Sequence, residues 1–341
     1  METSILELHP GLVWGFAIVV IIMLLLDLGV FNKNSHEVSS KEATVWTVVW
    51  ISLSMVFSAV VYWVFDSDAG GHDVAIEKFT QYQAAYWIEK ALSVDNLFVF
   101  ILVFGYFKVP RFLHHKVLFW GILGALVFRA IFIFAGVGII NVTFLPHMDI
   151  FGKSVQINVV LALFGLFLIY AGITSWGSGD DEEEQDYSNS AGAKVIKKLY
   201  KVSDDYDGSR FFTLNNGVKV ATPLLVVVAV IEFTDILFAV DSIPAIFAVS
   251  NDPLILYTSN IFAILGLRSL YFLLANFIHM FSKLPYGLSI ILTFIGLKML
   301  IAPWIHISSP ISLGIVAGVL ILSVVASLVF SDKKVDEDIV S

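Results

Sequence analysis

The sequence predicts an all-α, polytopic membrane protein, and two observations carry this prediction. Of the 341 residues, 58% are hydrophobic and 14% are charged, whereas soluble domains carry roughly 25% charged residues. The apolar residues also fall into repeated stretches of about the 20 residues that a transmembrane helix needs, with polar connections between them. One membrane domain is therefore expected to occupy nearly the whole chain.

Nine of these stretches are predicted to be transmembrane helices, at about 11–31, 44–65, 83–106, 114–140, 155–174, 218–249, 254–279, 285–303 and 310–330. The first stretch is expected to be retained as a helix. No Lys or Arg precedes it within the first ten residues, and it ends in Asp27 without a small-residue cleavage site. It therefore lacks the pattern of a cleaved signal peptide.

Basic residues are distributed unequally between alternate connections. The connections on one side of the membrane hold only Lys78 and Lys153. Those on the other side hold Lys33, Lys41, Lys108, Arg111, Lys116, Lys194, Lys197, Lys198, Lys201, Arg210, Lys219, Lys283, Lys333 and Lys334. Cytoplasmic loops carry the excess of Lys and Arg. The N-terminus is therefore expected outside and the C-terminus in the cytoplasm.

The third and sixth predicted spans share a motif, in which an acid is followed by five residues, then Val-Asp and a small polar residue. It is Glu89-Lys-Ala-Leu-Ser-Val-Asp95-Asn96 in the third span and Asp235-Ile-Leu-Phe-Ala-Val-Asp241-Ser242 in the sixth. The next span of each set carries one arginine, Arg129 or Arg268. The span after that carries Gly165 and Ala171, or Gly296 and Ala302, at the same spacing of six.

These similarities predict a repeat of three helices in inverted topology, because three spans are an odd number. Inverted repeats are a common construction of secondary transporters, whose substrate sites lie near the membrane midplane between the repeats. The chain is accordingly divided into an N-terminal two-helix segment (1–82), the first repeat (83–174), a cytoplasmic loop (175–217), the second repeat (218–303) and a final helix with a cytoplasmic tail (304–341). The loop is expected to be mainly a tether, partly disordered at its acidic run 180–186, with a short amphipathic helix in AKVIKKLYKV.

Six acids fall inside predicted spans: Asp27, Glu89, Asp95, Glu232, Asp235 and Asp241. Each Asp at the centre of a membrane helix costs about 2.5–3.5 kcal/mol on insertion scales, so helix packing alone does not explain them. Such acids pair with cations or line an ion pathway. Ion pairs with Arg129 and Arg268 would neutralise two of the six and leave four to explain.

The spacing of these acids predicts a site built from oxygen ligands. A break in each motif helix, for which Pro244 and the pairs Asp95-Asn96 and Asp241-Ser242 are the expected places, would let the acids face one site and expose backbone carbonyls. Asp95 and Asp241 are then expected to lie within one bridging ion or water of each other. Oxygen ligands of this kind suit manganese, magnesium or calcium.

The remaining polar residues give weaker signals. Asp27 lies near the cytoplasmic end of its span. Its side chain is equally expected to reach the headgroups or to belong to the ion pathway. Lys298 lies near the outer end of its span and is expected to reach the headgroups or to act as a counter-ion. The eight histidines are expected to be interfacial, because they lie in loops or at span ends. With no cysteine and no nucleotide-binding or hydrolase motif, thiol catalysis, an ATP-driven pump and nucleic-acid binding are not expected.

The motifs EKALSVDNLFVF and FTDILFAVDSIPAIFA, with DLGVF and NIFAILGLRSLYF, resemble those of the TerC/Alx family of bacterial membrane proteins over most of the chain. This resemblance implies a role in metal homeostasis at the bacterial inner membrane, tellurium resistance being the origin of the name, and manganese export in the Alx branch. The residues that match the acidic motifs are Glu89, Asp95, Asn96, Glu232, Asp235, Asp241 and Ser242. Related branches are linked to calcium and to membrane-protein partners, so the family does not fix the ion.

These observations favour a secondary transporter that exports a divalent cation, manganese before calcium, in exchange for protons. The alternative is a membrane scaffold that binds other membrane proteins, for which any bound ion is structural. An enzyme is not expected, and no resident cofactor is required by either hypothesis.

The topology can be tested with reporter fusions after Lys283 and Lys334. Both positions are expected to be cytoplasmic, because they belong to the side rich in basic residues. The measurement is the activity of a reporter that works on only one side of the membrane. A fusion at either position that is active outside the cell would contradict the assignment.

Overall fold

The chain folds into long α-helices joined by short connections and two small β-hairpins. The structure, a computed structural model, describes residues 10–31, 39–67, 71–150, 153–177, 187–215, 218–276, 283–305 and 307–329. Within these ranges it does not describe the side chains of residues 26–31, 95, 98, 150, 177, 215, 241 and 276. The predicted acidic run and the C-terminal tail lie outside the described residues.

The helices are α1 (Pro10–Phe31), α2 (Ser40–Asp66), α3 (Gly71–Tyr106), α4 (Arg111–Val142), α5 (Val159–Gly177), α6 (Ala191–Leu199), α7 (Pro223–Phe247), α8 (Pro253–Leu265), α9 (Leu267–Asn276), α10 (Leu284–Ile301) and α11 (Ser309–Val329). The antiparallel hairpins are β1 (Met148–Ile150) with β2 (Lys153–Val155), and β3 (Phe212–Asn215) with β4 (Val218–Ala221). The membrane-protein class predicted from composition is confirmed. The two hairpins lie in connections and were not predicted.

Seven segments of the described chain are long and apolar enough to cross a membrane. They are α2, α4, α5, α7, α10, α11 and the pair α8 and α9. Helix α1 contributes a shorter apolar segment, 10–25, and α3 is not among the seven. The total of nine spans therefore stays a prediction.

Two details of the predicted spans were wrong, and a third span contains a break that was not predicted. Helix α3 begins at Gly71, twelve residues before the expected start at 83, because its first three turns are polar and hydropathy does not register a polar helix. The expected span 254–279 is divided at Gly266 into α8 and α9. The interruptions expected at Asp95-Asn96 and at Asp241-Ser242 do not occur, since α3 and α7 continue through both pairs.

Helix α3 lies at the centre of the bundle, in contact with α2, α7, α8 and α11. Its polar first half is tolerated there because neighbouring helices supply hydrogen-bond partners. Tyr82 and Ser54 share a hydrogen bond of 2.9 Å. Gln83 donates to Ser58 at 2.7 Å. A buried polar group that is hydrogen-bonded avoids most of the desolvation cost, so this half of α3 behaves as a core element.

The contacts between helices follow the pattern that the predicted repeat requires. The first helix of each unit contacts the second helix of the other unit, as α3 contacts α8 and α4 contacts α7. The two first helices, α3 and α7, also contact each other, as do the two second helices, α4 and α8. The third helices, α5 and α10, form the most extensive contact in the bundle. The opposite orientation of the units in a membrane remains a prediction.

Helices α5 and α10 meet at the two glycines that the sequence comparison made equivalent. A Cβ atom built on Gly165 would lie 3.0 Å from the carbonyl oxygen of Gly296, and one built on Gly296 would lie 2.6 Å from the carbonyl oxygen of Gly165. Only glycine therefore allows the two backbones to approach this closely, as in other membrane helix pairs with small residues at the contact.

The 175–217 connection is folded where the structure describes it. The predicted amphipathic helix is confirmed as α6, whose Gly192 packs against the backbone of Ala229 on α7. The Tyr206 hydroxyl donates to the carbonyl of Phe107 at 2.9 Å. The expectation of a simple tether is therefore wrong for residues 187–215.

The glycine contact predicts an asymmetry between Gly→Ala substitutions. Gly296→Ala is expected to destabilise the bundle by about 1–3 kcal/mol, because the new methyl group meets a backbone oxygen that cannot rotate away. Gly138→Ala on α4 is the matched control, since nothing lies within 4 Å of its Cβ position. The measurement is the thermal unfolding temperature of each variant in detergent. Equal unfolding temperatures for both variants would show that the glycine pair is not a tight contact.

Candidate functional site

A buried ion cluster joins four helices at the interface of the two predicted repeats. The Arg129 side chain on α4 is fully buried. Its Nη1 donates to Glu89 Oε1 on α3, and its Nη2 donates to Asp235 Oδ1 on α7 at 3.3 Å. Nη1 also donates to Asn260 Oδ1 on α8 at 3.3 Å. One guanidinium thus holds an equivalent acid from each copy of the motif.

Local sequence contributes to the position of Glu89. Ser93 lies four residues later on the same face of α3, as the helical period requires, and its hydroxyl donates to Glu89 Oε1 at 3.3 Å. One carboxylate oxygen of Glu89 is therefore held by both Arg129 and Ser93, while the other oxygen remains available.

Several buried polar atoms of the motif helices and their neighbours have no hydrogen-bond partner among the described residues. They are Glu89 Oε2, Asn96 Nδ2, Arg129 Nε, Glu232 Oε2, Asp235 Oδ2, Ser242 Oγ and Asn260 Nδ2. In native structures the large majority of buried polar atoms have a partner, and exceptions need an explanation such as a water or an ion. The three carboxylate oxygens in this set are the atoms that a cation would bind.

The second arginine lies next to the same acid. Arg268 at the start of α9 lines a cavity of about 10 Å³ together with Asp235, between α3, α4 and α8. That volume is close to the minimum that one water molecule needs. The interior beside Asp235 can therefore hold a single small species.

Glu232 occupies a separate position one turn before Asp235. Its carboxylate packs directly against Gly124 of α4, where a Cβ atom would collide with it. Glu232 is half-buried, and among the described residues its carboxylate makes no hydrogen bond to Arg129.

The structure brings together some of the predicted site residues. Glu89 and Asp235 meet at Arg129, which confirms the predicted pairing of that arginine with an acid of a first helix. Asn96 and Ser242 are buried. Lys298 is half-buried in the last turn of α10, where a cation interacts favourably with the helix dipole.

The side chains of Asp27, Asp95 and Asp241 lie outside the described part of the structure. The predicted approach of Asp95 and Asp241 therefore stays a prediction. Among the described residues, no three His, Cys, Asp or Glu side chains form a group that could hold a metal ion.

Sequence reasoning missed three residues near this cluster. Asn260 is a fully buried amide in an apolar helix, and its polarity inside a predicted span was the available signal. Ser93 was recognisable from its spacing to Glu89. Lys90 is also buried, and its Nζ donates at 3.3 Å to the carbonyl of Ala263, in the last turn of α8 before the break at Gly266.

The Arg129 cluster predicts a strong dependence of stability on charge balance. Arg129→Gln leaves Glu89 and Asp235 without their shared cation and is expected to cost about 3–5 kcal/mol. Adding Glu89→Gln and Asp235→Asn should restore most of that loss, because no buried charge of the cluster is then unpaired. The measurement is thermal unfolding in detergent with the yield of membrane-inserted protein.

Arg210→Gln is the control for this prediction. Arg210 pairs with Asp207 at 3.5 Å and is largely exposed, so its loss should change stability by about 1 kcal/mol or less. An Arg129→Gln variant that unfolds at the same temperature as Arg210→Gln would contradict a structural role of the cluster.

The chain is similar to known membrane proteins over most of its length. Residues 74–335 match the family model described as "Integral membrane protein TerC family". The chain is 44% identical over 331 residues to "Uncharacterized membrane protein STKORF319" of Myxococcus xanthus, covering 97% of this chain and 96% of the relative. It is 42% identical over 316 residues to "Putative membrane-bound redox modulator Alx" of Salmonella typhi, covering 92% of this chain and 93% of the relative.

The protein of the same name from Escherichia coli K12 is 41% identical over 314 residues, with 92% of each chain covered. No solved structure matches the chain. The family model covers both copies of the acidic motif, and the relatives align over nearly their full length. The chain therefore belongs to the TerC family of integral membrane proteins.

Proposed function

We propose that this protein is a secondary transporter that exports a divalent cation across the bacterial inner membrane, with manganese favoured over calcium. The transported ion would bind the acidic residues of α3 and α7, and protons would move in exchange. The proposal rests on one observation. Buried carboxylates from both copies of the motif each keep one oxygen without a hydrogen-bond partner in the described structure.

The chemistry of these groups supports a hard divalent cation. Carboxylate, amide and hydroxyl oxygens are the ligands that manganese, magnesium and calcium accept. Glu89 and Asp235 present one such oxygen each, and Ser242 adds a hydroxyl oxygen further along α7. The unpartnered atom of Asn96 is Nδ2, a donor that does not bind a cation. Asp95 and Asp241 lie six residues further along the continuous helices α3 and α7, about 9 Å along each axis. They would supply negative charge to another position on the same pathway.

Arg129 gives the proposed site a fixed geometry. It holds one oxygen of Glu89 and one of Asp235, so the second oxygen of each is oriented by the same guanidinium. A transported ion bound there would contact both repeats at once. Movement of one repeat against the other would then open the site to either side, which is the general mechanism of inverted-repeat transporters.

Proton exchange follows from the same groups. A carboxylate that binds a cation must be deprotonated, so protonation competes with metal binding. Protons that enter from the outside would displace the ion at the outward-facing stage. This order couples export of the metal to uptake of protons.

The name of several relatives refers to redox modulation. This chain has no cysteine, so thiol–disulfide exchange, which requires a thiolate, is not available to it. Transport of a redox-active ion such as manganese is a route by which a protein without thiols changes cellular redox balance.

The direct test is metal flux in proteoliposomes that contain the purified protein. Manganese flux driven by a proton gradient is expected, with smaller or no flux of calcium, magnesium and zinc. Asp95→Asn, Asp241→Asn and Asp235→Asn should each reduce manganese flux to the level of empty liposomes, because a neutral amide lacks the charge that offsets dehydration of the ion.

Asp149→Asn is the matched control, since Asp149 is exposed in the β1–β2 hairpin. It should transport like the unmodified protein. The neutral variant Glu89→Gln, Arg129→Gln, Asp235→Asn should insert and fold but transport no metal, whereas full activity would show that the cluster is purely structural. Inertness toward all four metals would favour the membrane-scaffold alternative.

A further inference from the structure

We propose that Lys78 and Asp252 form a gate between the two repeats at the predicted outer end of the ion pathway, a role that rests on the transport function proposed above. Lys78 lies in the polar first half of α3, the first helix of one repeat. Asp252 lies immediately before α8, the second helix of the other repeat. The ion pair between them joins two units that must separate on this side when the acidic cluster opens outward.

The ion pair is well formed and partly removed from solvent. Lys78 Nζ donates to Asp252 Oδ2 at 2.8 Å, and the two side chains are 23% and 8% exposed. The other carboxylate oxygen, Oδ1, accepts from the backbone N–H groups of Leu254 and Ile255, so Asp252 is also the N-cap of α8. The cap fixes the carboxylate at the start of the helix and leaves one oxygen for the lysine. A charge-assisted bond held in this way is stronger than an ion pair between exposed, mobile side chains.

Neutral hydrogen bonds extend the same contact along α3. Ser250 Oγ donates to Gln81 Oε1 at 2.8 Å, and Gln81 Nε2 donates to Glu77 Oε1 at 2.9 Å. The Asp252 N–H donates to Ser250 Oγ at 3.1 Å. Ser250 and Gln81 are both buried. The connection between α7 and α8 is therefore bound to α3 at two adjacent points, of which one is charged and one is neutral.

The gate lies on the same helices as the acidic cluster. Lys78 precedes Glu89 by 11 residues on α3, which is about 16 Å along the helix axis. Asp252 precedes Asn260 by eight residues, which is about 12 Å. Glu89 and Asn260 both bind Arg129. Separation of α3 from the start of α8 would therefore open a route to the cluster from this end.

The repeat does not place a second charged contact at the equivalent positions of α7. The offset of 146 residues between the two copies of the motif puts Leu224 and Val227 at the positions of Lys78 and Gln81. Both Leu224 and Val227 are fully buried, and neither has a polar side chain. The charged and neutral bonds of the gate are therefore a property of one repeat, which indicates a role specific to the predicted outer end.

The scarcity of basic residues on the predicted outer side supports such a role. Lys78 and Lys153 are the two basic residues that the sequence assigns to connections on this side. Lys153, in β2 of the first repeat, also reaches across the molecule, because its Nζ donates to the carbonyl of Trp304, just after α10, at 3.2 Å. Both lysines on this side therefore bind segments that are distant in the chain and adjoin the other repeat.

The accessibility of the cluster tests the gate. The chain contains no cysteine, so Ser93→Cys supplies a single thiol beside Glu89. Asp73→Cys, at the exposed start of α3, identifies the side of the membrane on which the gate lies. The measurement is the rate of labelling by a membrane-impermeant maleimide, which is applied to either side of membrane vesicles without added metal.

Lys78→Met and Asp252→Asn should each increase labelling of Ser93→Cys about tenfold from the side that labels Asp73→Cys, and decrease it from the opposite side. Loss of the ion pair favours the state in which this end is open and the other end is closed. Asparagine retains the capping oxygen of Asp252, so this variant removes the charge without removing the cap. The double variant should match the single variants, because all of them remove the same bond.

Asp66→Asn is the matched control. Asp66 pairs with His72 at 3.1 Å near the same end of α3, but this contact joins α2 to α3 and not the two repeats. Opposite changes on the two sides are specific to a gate, because loss of a purely structural contact loosens the bundle toward both sides.

Unchanged labelling in Lys78→Met, an equal increase in Asp66→Asn, or an equal increase from both sides would overturn the proposal. Labelling requires no metal flux, so failure of the gate is distinguished from failure of manganese transport in proteoliposomes.

Discussion

The bundle depends on one buried guanidinium that two acids share. Arg129 binds Glu89 from one copy of the motif and Asp235 from the other. Removing one partner of a buried ion pair leaves a charge that low-dielectric surroundings do not stabilise. In a membrane interior no water replaces the missing partner. The contacts among α3, α4, α7 and α8 are therefore fixed at Arg129. The same contacts determine where the cavity beside Asp235 lies.

Helix α3 shows how a polar residue that serves packing differs from one that is available for binding. In its first half, Tyr82 and Gln83 each have a hydrogen-bond partner on α2. From Glu89 to Asn96, buried polar atoms on the same helix lack partners among the described residues. Burial is similar in both halves, and the Tyr86 hydroxyl in the first half also lacks a partner among the described residues. The unpartnered carboxylate oxygens, and not unpartnered polar atoms in general, therefore locate the candidate site.

Much of this architecture could be predicted from the sequence, for identifiable physical reasons. Apolar length predicted most helices, and the repeat predicted that Arg129 would pair with an acid of a motif helix. That Glu89 and Asp235 share this one arginine was not predicted. Gly165 and Gly296 were matched by spacing alone, and they meet in the structure. Helical periodicity and repeated motifs can be recognised in a sequence because they depend on the spacing of residues along the chain.

The features that could not be predicted depend on tertiary contacts. The early start of α3 at Gly71 requires partners on other helices for its polar residues. The break at Gly266 follows no proline or polar pair, whereas α7 continues through Pro244. Asn260 could not be assigned, because one amide in an apolar helix does not reveal which arginine it faces. Hydropathy and spacing carry no information on such pairings.

The glycine contact between α5 and α10 also limits how this protein can vary. A Cβ atom on either glycine would meet a main-chain oxygen of the other helix, in addition to the side chain of Leu300 or Ile169. A substitution at a second site can shorten a side chain, but it cannot remove a carbonyl group. Loss of either glycine is therefore compensated only by moving the helices apart, and the two halves of the molecule must change their spacing together.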